Sequence, residues 1–405
     1  MKICFIADVR SSISRNWIRY FPTRGHEVHV LATSLSEDST IEGATIHGLV
    51  SASKSKAKNG AEKHGLSNTK FRFDPSTLLG RTAFGFRNEI LRPVKCILLK
   101  RRAQELVKMI HPDLLHALRI PIEGELGGGL GVHPFVTSIW GNDLTLYAAN
   151  SFIHRALTSR TLKAADGLLA DTNIDIQRAH AMVPMGNVPS LRLPGCGGLN
   201  SAMFFSGRAN GSVIQRLGVD PERPVVLNPR GLRQYVRHDT FFAAIPTVLA
   251  IRPDVQFVAV DLKGWQWAEK WIHRSGLSSS VVLTGHLSQT DLAELFRRAT
   301  VTVSPTEHDG TPNTLLEAMA CGCLPICGDL PSVREWITPD VNGILFDVAD
   351  PESLAHAILR GLSDRRLRID AAGHNQKMLA ENANYDLCMR KAELFYEEVI
   401  QQCHR

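Results

Sequence analysis

The stretch DGTPNTLLEAMACGCLPI, Asp309 to Ile326, decides the fold of this chain. The residues before it, Val301 to Ser304, are mostly β-branched and predict a strand. Pro305 to Pro312 is rich in turn-forming residues, and Asn313 is a residue type preferred at the N-cap of a helix. Leu315 to Ala320 contains good helix formers. The sequence here therefore predicts a strand, a loop and a helix N-terminus in succession.

A helix N-terminus placed after a strand in this way is suited to bind an anion. The first backbone N–H groups, about Thr314 and Leu315, lack intrahelical acceptors, and the helix dipole adds partial positive charge. We therefore expect a diphosphate there. Asp309 precedes the helix and Glu317 lies one turn inside it, so two carboxylates can accept hydrogen bonds from sugar hydroxyls on either side. Alternatively, Asp309 only ends a turn and Glu317 only complements the dipole of the first turn.

The whole stretch resembles the signature of the family 4 retaining glycosyltransferases, E-G-x-P-x-x-x-L-E-A-M-A-x-G-x-P. Asp309 replaces the first Glu, the acidic pair keeps its spacing, and Pro325 comes one residue late. The resemblance covers nearly the whole chain, including Arg24 to Leu31, Val281 to Pro305 and Ser332 to Ala355. It implies an α/β protein of the GT-B type, with two Rossmann-like domains facing a cleft and a last helix, about Tyr385 to Gln401, that crosses back to the N-terminal domain.

The resemblance also implies roles for individual residues. Glu317 would hold the ribose hydroxyls, Asp309 the sugar, and Arg230 the diphosphate. The family usually has a Lys after this Arg, but here Arg233 or Arg237 must supply the second charge; a surface-exposed basic loop is the alternative. The remaining expected donor-binding residues are Gly285, Leu287, Gly310, Thr311, Pro312, Asn313, Thr314 and Leu315.

Candidate acceptor-side residues follow two strands of the N-terminal half. Trp140 stands where many relatives carry a His near the reacting carbon, and a W-G-x-D variant also occurs in the family, so Trp140, Gly141, Asn142 and Asp143 are expected to shape the acceptor floor. A packed Trp at a strand end is the alternative. His116 lies at the end of the neighbouring predicted strand and either reaches the same cleft or takes the commoner role of a core histidine.

Together with the resemblance, these residues predict a retaining glycosyltransferase that uses a nucleoside-diphosphate sugar and a hydroxyl acceptor, which is a glycan, a lipid-linked saccharide or a small molecule. The resemblance implies front-side displacement without a metal, and no cofactor besides the nucleotide-sugar co-substrate. Cys321, Cys323 and Cys327 lack the paired spacing of zinc sites. Two alternatives are a glycan- or lipid-binding protein of the same fold that has lost catalysis and a two-domain nucleotide-sugar epimerase.

The length of 405 residues suits two domains. Two successive runs of alternating strands and helices predict two parallel sheets with helices on both faces. The predicted domains are residues 1–193, joined by 384–405, and residues 194–383, with Pro194 to Ser201 as a hinge. The predicted strands are Ile3 to Ala7, Glu27 to Ala32, Thr45 to Leu49, Leu114 to Ala117, Phe135 to Ile139, Gly167 to Ala170, Val225 to Asn228, Gln256 to Val260, Val281 to Thr284, Val301 to Ser304, Leu324 to Cys327 and Ile344 to Phe346.

Positive charge is concentrated between Lys54 and Arg102, which contains thirteen lysines and arginines against three acids. Leu91 to Ile110 predicts an amphipathic helix, so the region 54–110 is expected to bind an anionic membrane surface or an anionic acceptor. A solvated basic face is the alternative. No aromatic interleaving supports nucleic acid as a partner. The chain has no apolar run of about 18 residues, and the stretch MKICFIAD is too short and too acidic at its end to be expected to act as a signal peptide. We therefore expect a cytoplasmic protein, peripheral on the inner membrane face if the basic region binds lipid.

Overall fold

The computed structural model describes residues 1–35, 40–49 and 78–404. It divides into two compact units. The first contains Met1–Ser138, Tyr147–Gly167 and Val399–Arg405, and the second contains Ile139–Leu146 and Leu168–Glu398. The predicted hinge, Pro194 to Ser201, lies inside the second unit, so the domain boundaries derived from the sequence stay a prediction.

The first sheet has seven strands, and their order from edge to edge is β3-β2-β1-β4-β5-β6-β7. The resolved pairs β1·β2, β1·β4, β2·β3, β4·β5 and β6·β7 are parallel. All six strands predicted for this half are present within one or two residues. The edge strand β7 was not predicted, because three half-buried residues show no hydrophobic pattern. The strands are β1 (Lys2–Asp8), β2 (Glu27–Ser34), β3 (Ala44–Gly48), β4 (Leu114–Ala117), β5 (Phe135–Ile139), β6 (Gly167–Ala170) and β7 (Ser190–Arg192).

The second sheet has six parallel strands in the order β10-β9-β8-β11-β12-β13. The strand order reverses between β8 and β11, and ligands of open α/β sheets bind at such a switch point, beyond the carboxyl ends of the strands. All six predicted strands are present with ends shifted by at most one residue. They are β8 (Val225–Asn228), β9 (Gln256–Ala259), β10 (Val281–Leu283), β11 (Val301–Ser304), β12 (Leu324–Gly328) and β13 (Ile344–Phe346).

Helices connect the strands. The predicted last helix is present as α14, and the end of the chain from Val399 belongs to the first unit. The predicted helix Leu91 to Ile110 is part of α3, whereas residues 54–77 of the basic region lie outside the described residues. No described helix combines the length and apolarity needed to cross a membrane. The helices are α1 (Ser12–Ile18), α2 (Tyr20–Thr23), α3 (Leu78–Ile110), α4 (Glu125–Gly127), α5 (Phe152–Ala164), α6 (Asn173–Met182), α7 (Gly211–Arg216), α8 (His238–Ile251), α9 (Gln266–Arg274), α10 (Gln289–Arg298), α11 (Asn313–Ala320), α12 (Pro351–Ser363), α13 (Arg365–Asn382) and α14 (Tyr385–Cys403), with short π-type turns at Ile120–Gly124 and Asp143–Ala148 and a 3-10 turn at Val333–Glu335.

The second sheet is buried on both faces, which explains its short apolar strands. Successive residues of a strand point to opposite faces. Accordingly, Val226 packs in one hydrophobic core with Phe241 and Phe257, while Val225 and Leu227 pack in the other. Because both faces are anchored, the loops at the carboxyl ends of β8 and β11 start from fixed positions.

Candidate active site

The loops that follow β8 and β11 meet at the switch point of the second sheet. Val236 and Thr306 form an antiparallel bridge between the two loops. The backbone N–H of Arg237 donates to the carbonyl of Pro305 at 2.7 Å, and the N–H of Glu307 donates to the carbonyl of Tyr235 at 2.9 Å. The bridge joins the segment containing Arg230 to the segment containing Asp309.

Arg230 forms the centre of this site. Its Nη2 donates to Asp309 Oδ2 at 2.7 Å, and its Nη1 donates to Thr314 Oγ1 at 3.2 Å. The side chains of Arg230 and Asp309 are only 13% and 17% exposed. The backbone N–H of Arg230 donates to Asn228 Oδ1 at 3.0 Å, which fixes the start of the loop. The structure therefore brings together the Arg, the first carboxylate and the first helical turn that the sequence singled out.

Burial shapes the charges at this site. It raises the pKa of Asp309 above its usual range, although Arg230 opposes the shift. It raises the pKa of Glu317 to about 7, again against the effect of Arg230. Burial also disfavours the charge on Arg230, but Asp309 and Glu317 are among the groups that raise the pKa of its guanidinium above the usual value. The buried guanidinium of Arg230 therefore stabilises the ionised forms of both Asp309 and Glu317.

Helix α11 begins without a side-chain cap. Its N-cap is Pro312, so the expectation that Asn313 would be the N-cap was wrong: Asn313 is the first helical residue. The fixed φ of proline, here −65° with ψ at 122°, ends the extended loop one residue earlier. The N–H of Leu315 donates to the carbonyl of Pro312 at 3.0 Å, so Asn313 and Thr314 have the N–H groups without intrahelical acceptors. An uncapped end of this kind suits an anion.

Glu317 lies beyond the first turn of α11. The helix starts at Asn313 and its first turn contains no acidic residue. The helix dipole acts mainly on groups within the first turn. Complementing that dipole is therefore a poor explanation for Glu317, and the buried position beside Arg230 remains the feature that distinguishes this carboxyl group.

The two arginines proposed for the second charge have different surroundings. Arg237 is paired with Asp239, Nη2 to Oδ2 at 2.8 Å, and with Glu307, Nη1 to Oε1 at 2.8 Å. Arg233 is exposed, and its Nη1 donates to the carbonyl of Leu232 at 2.9 Å. A diphosphate would have to compete with two carboxylates for Arg237, so the geometry favours Arg233.

Two further donor-side candidates follow β10. A side chain at Gly285 would meet open space, whereas Leu287 is partly buried and packs against a hydrophobic core of the second unit. Gly285 thus has room beside it for a ligand, and Leu287 mainly anchors its loop.

The turn from Trp140 to Asp143 lies against the loop that carries Asp309. A Cβ atom at Gly141 would lie 1.7 Å from the amide nitrogen of Gly310 and 2.4 Å from the carbonyl carbon of Asp309. The turn is closed by Asp143, which is fully buried and whose Oδ2 accepts from the N–H of Trp140 at 3.1 Å. Only glycine permits this backbone contact at position 141.

His116 lies in the core of the first unit. It is fully buried, and its ring centroid lies 5.7 Å from that of Phe5 and 5.9 Å from that of Trp17. Its Nε2 is 2.8 Å from Ser138 Oγ, and burial lowers its pKa to about 3. These surroundings correspond to the core role considered for this histidine.

Three residues that were not predicted from the sequence hold the Asp309 loop. Asp171 accepts from Thr311, Trp336 Nε1 donates to Thr311 Oγ1 at 2.9 Å, and Ser332 Oγ donates to the carbonyl of Asp309 at 2.7 Å. Asp171 had a signal, because it directly follows the predicted strand Gly167 to Ala170 at the carboxyl edge of a parallel sheet. Ser332 and Trp336 had no comparable signal.

The cysteines near α11 are part of the packing. Cys321, Cys323 and Cys327 are buried, and Cys323 Sγ donates to the carbonyl of Phe296 at 2.7 Å. Within residues 1–35, 40–49 and 78–404, no three His, Cys, Asp or Glu side chains are grouped so that they could hold a metal ion.

Two families of glycosyltransferases match this chain. The model of the family described as glycosyl transferases group 1 matches residues 212–383, and the glycosyl transferase 4-like model matches residues 57–172. These two matches, one in each half of the chain, support a glycosyltransferase of the group 1 type. The first of these matches contains Arg230, Asp309 and Glu317, and the fold is the two-domain Rossmann-like GT-B fold.

Relatives and solved structures are similar at low identity. The D-inositol 3-phosphate glycosyltransferase of Thermobifida fusca is 24% identical over 252 residues, covering 59% of this chain and 56% of the relative. This chain spans about half the length of the curated relatives it matches. Sucrose-phosphate synthase from Thermosynechococcus elongatus has a TM-score of 0.74 at 15% identity, covering 99% of this chain and all of the other. HepE of Anabaena, solved in complex with UDP, has a TM-score of 0.71 at 14% identity, covering 98% and 100%.

Proposed function

We propose that this protein is a retaining glycosyltransferase that transfers a sugar from a nucleoside-diphosphate sugar to a hydroxyl group of a glycan, a lipid-linked saccharide or a small molecule. One observation carries the proposal: Arg230 lies between Asp309 and the uncapped N-terminus of α11 at the switch point of the second sheet. Such a site combines a cation and backbone donors for a diphosphate with acceptors for sugar hydroxyls. The solved complexes of HepE with UDP and with UDP-glucose support a donor of this class.

The residues suggest how the reaction would be catalysed. Arg230 and the N–H groups of Asn313 and Thr314 would stabilise the charge that develops on the leaving diphosphate. Asp309 would orient the sugar. The acceptor hydroxyl would attack the anomeric carbon on the face that the leaving phosphate vacates, and its proton would pass to the leaving phosphate oxygen. The new bond then has the configuration of the old one, and no protein nucleophile and no metal are needed.

Calorimetry and product analysis test this function. Wild-type protein is expected to bind at least one nucleoside diphosphate, with UDP and GDP as the first ligands, and a donor sugar panel in thermal shift should identify the donor, because a bound ligand stabilises the fold. NMR of the product should show the anomeric configuration of the donor, and EDTA should leave turnover unchanged. An inverted product would rule out the retaining reaction, and no nucleotide binding at all would rule out the function.

Glu317→Gln should change how nucleotide affinity depends on pH. The pKa of Glu317 is raised to about 7, so the ligand-free protein holds this carboxyl partly protonated at neutral pH. The ionised form accepts hydrogen bonds from ribose hydroxyls more strongly. Affinity for a nucleoside diphosphate should therefore rise as the pH increases from 6 to about 8 in wild type, and this part of the rise should be absent in Glu317→Gln. Titration of the ligand phosphate is common to both proteins and cancels in the comparison.

The stability of the ligand-free protein provides the control for Glu317. A carboxyl whose pKa is raised by folding stabilises the fold fully below its unfolded pKa and loses that contribution as the pH rises through the folded pKa. Wild type should therefore lose stability relative to Glu317→Gln between pH 4.5 and about 7, by roughly 3 kcal/mol at most. If stability and nucleotide affinity depend on pH in the same way in wild type and in Glu317→Gln, Glu317 does not titrate in this range.

The second half of helix α3 supports peripheral association with an anionic membrane, a partner expected for region 54–110. Ile97 and Leu98 are 73% and 74% exposed, and they lie among Lys95, Arg101 and Arg102. Apolar side chains beside basic ones are typical of helices that lie in the interface of anionic membranes. We propose that this surface docks the protein on the inner membrane face.

A second helix of the first unit also exposes a large apolar side chain. Glu125 accepts from Cys96 Sγ on α3 and lies 3.3 Å from His154 Nδ1 on α5, so the two helices flank the same residue. Phe152, two residues before His154, is 86% exposed. The first unit thus exposes large apolar side chains from two helices, α3 and α5, that are both bonded to Glu125.

Vesicle sedimentation tests the membrane proposal. Ile97→Ser combined with Leu98→Ser should lower partitioning onto vesicles that contain phosphatidylglycerol by at least about tenfold. Each substitution removes apolar surface that would be transferred from water into the membrane on binding. The control is Ile251→Ser with Ile369→Ser, which removes exposed apolar residues of the second unit, 63% and 55% exposed. Equal partitioning of the two double variants, or binding to neutral phosphatidylcholine vesicles as strong as to anionic ones, would contradict the proposal.

A further inference from the structure

The Asp309–Thr311 loop is held by contacts on both sides of Thr311. The N–H of Thr311 donates to Asp171 Oδ2 at 3.2 Å, and Thr311 Oγ1 donates to the backbone carbonyl of Asp171 at 2.6 Å. The same hydroxyl oxygen accepts from Trp336 Nε1 at 2.9 Å. Thr311 therefore has its amide and its hydroxyl committed, and two of the three bonds go to one residue.

The backbone of the loop has no room to shift towards Asp171. A Cβ atom at Gly310 would lie 2.4 Å from Asp171 Oδ2 and 2.6 Å from Oδ1. On another side, the backbone of Gly141 is in direct contact with Gly310. The loop is thus confined between a buried carboxyl group and a glycine turn, all within the second unit.

Trp336 is itself held in place. The guanidinium carbon of Arg192 lies 4.6 Å from the centroid of the Trp336 ring, and Arg192 Nε lies 3.4 Å from Glu335 Oε2. The same carboxylate accepts from the N–H of Asn173 at 3.0 Å, at the start of α6. The indole that donates to Thr311 is therefore linked, through Arg192 and Glu335, to the segment that follows Asp171.

Asp171 has an unusual environment for an aspartate. It is 6% exposed, and its Oδ1 is buried without a hydrogen-bond partner. Burial, then the carboxyl groups of Asp175, Asp309 and Asp143, raise the pKa of Asp171 well above its usual range, and only the N–H of Thr311 is prominent in opposing them. Two of these neighbouring carboxylates have cations of their own, Asp309 paired with Arg230 and Asp175 with Arg178. A neutral carboxylic acid suits this position better than a carboxylate.

We propose that Asp171 is a positioning residue for sugar transfer: its carboxyl group and its backbone carbonyl fix Thr311, and Thr311 fixes where the adjacent loop presents Asp309. The role rests on the proposed function, since Asp309 must act on the donor sugar for its placement to affect the rate. The bonds of Asp171 go to Thr311, one residue before the N-cap Pro312, so its loss should affect transfer and leave the diphosphate site at the first turn of α11 in place.

Three substitutions test this role by kinetics. Asp171→Ala should lower kcat by about tenfold or more, with affinity for the nucleoside diphosphate within about twofold of wild type, because a hydrogen bond that orders the loop is lost. Asp171→Asn keeps an acceptor for the N–H of Thr311 and cannot ionise, so it should restore most of the rate. The matched control is Asp175→Asn, a buried neighbour bonded to Thr172 and Arg178 that does not contact the loop, and it should retain the wild-type kcat.

A double-mutant cycle separates positioning from a general loss of stability. If Asp171 acts through Asp309, Asp171→Ala should cost almost no further turnover in a protein that already carries Asp309→Ala. Independent, multiplicative losses would overturn the proposal. So would an equal loss of kcat in Asp171→Ala and Asp175→Asn. If Asp171→Ala does not fold, Thr311→Val, which removes the hydroxyl from the same contact, takes its place in the cycle.

Hydrogen exchange gives a readout that does not need activity. In ligand-free protein, the amide of Thr311 should exchange at least about tenfold faster in Asp171→Ala than in wild type, and at the wild-type rate in Asp171→Asn and Asp175→Asn. Unchanged exchange in Asp171→Ala would overturn the proposal. If wild type neither binds a nucleotide nor transfers a sugar, the proposed function fails, while this exchange measurement still decides whether Asp171 holds the loop.

Discussion

Arg230→Ala is expected to lower both nucleoside diphosphate affinity and kcat/KM by roughly hundredfold. The variant would lack the charge-assisted hydrogen bonds that Arg230 donates to the diphosphate. The truncation of one partner of a buried charge pair costs about 3 kcal/mol. The variant also leaves Asp309 and Glu317 without their shared cation, so the anionic ligand would enter a more negative site. Isothermal calorimetry with UDP and GDP, together with initial rates, measures both effects.

The other arginines of the same loop provide matched controls. Arg233→Ala should weaken nucleotide binding less than Arg230→Ala, since Arg233 is exposed. Arg237→Ala should leave nucleotide affinity nearly unchanged, because Arg237 pairs with Asp239 and Glu307. Arg230→Lys keeps the charge but cannot reach Asp309 and Thr314 at once with a planar fork. A folded Arg230→Ala that retains wild-type nucleotide affinity would remove Arg230 from the diphosphate site.

Local pattern was sufficient to predict the strands that position this site. Each strand of the second sheet is a short apolar run bounded by turn-forming residues, and the two loops after β8 and β11 followed from strand ends alone. The pairing of Arg230 with Asp309 was not predicted, although both were assigned to the donor site. It depends on β8 and β11 being adjacent in the sheet, which the linear sequence does not state.

The start of α11 shows a limit of residue preferences. Asn is preferred at an N-cap and Asn313 was assigned there, but Pro312 takes that position because its φ is fixed by the ring and its missing N–H costs nothing outside the helix. The shift moves the available N–H groups by one residue, from Thr314 and Leu315 to Asn313 and Thr314. Competition of this kind moves a helix boundary by a residue from the position that residue preferences predict.

Contacts between distant segments were beyond the sequence pattern. Asp171 and Thr311 are 140 residues apart, and no periodicity or spacing links them. The acceptor-side turn was assigned from its resemblance to a family variant, yet the reason that position 141 is glycine appears only in the structure, where it touches the backbone of Gly310. The core position of His116 also depends on packing, through Phe5 and Trp17.

Asp309→Ala should lower turnover by at least about tenfold while leaving affinity for free nucleoside diphosphate intact or slightly higher. The variant would lack the one or two charged hydrogen bonds that Asp309 accepts from sugar hydroxyls, worth roughly 1.5–3 kcal/mol each. Its removal also releases Arg230 from an ion pair of 2.7 Å, so the guanidinium becomes more available to a diphosphate. Initial rates with the best donor and calorimetry with the nucleoside diphosphate separate the two effects.

Two conservative variants show whether the charge or the reach of Asp309 matters. Asp309→Asn keeps the shape and an acceptor but weakens the pairing with Arg230, so it should lose rate like Asp309→Ala if the charge orients the sugar. Asp309→Glu restores the residue common in the family and extends the carboxylate by one methylene, within a loop confined by Gly141 and Asp171. Because that confinement fixes the backbone, the longer side chain should shift the preference among donor sugars without changing nucleotide affinity. If Asp309→Ala transfers its best donor at the wild-type rate, Asp309 serves only as the counter-ion of Arg230, and the sugar is recognised elsewhere.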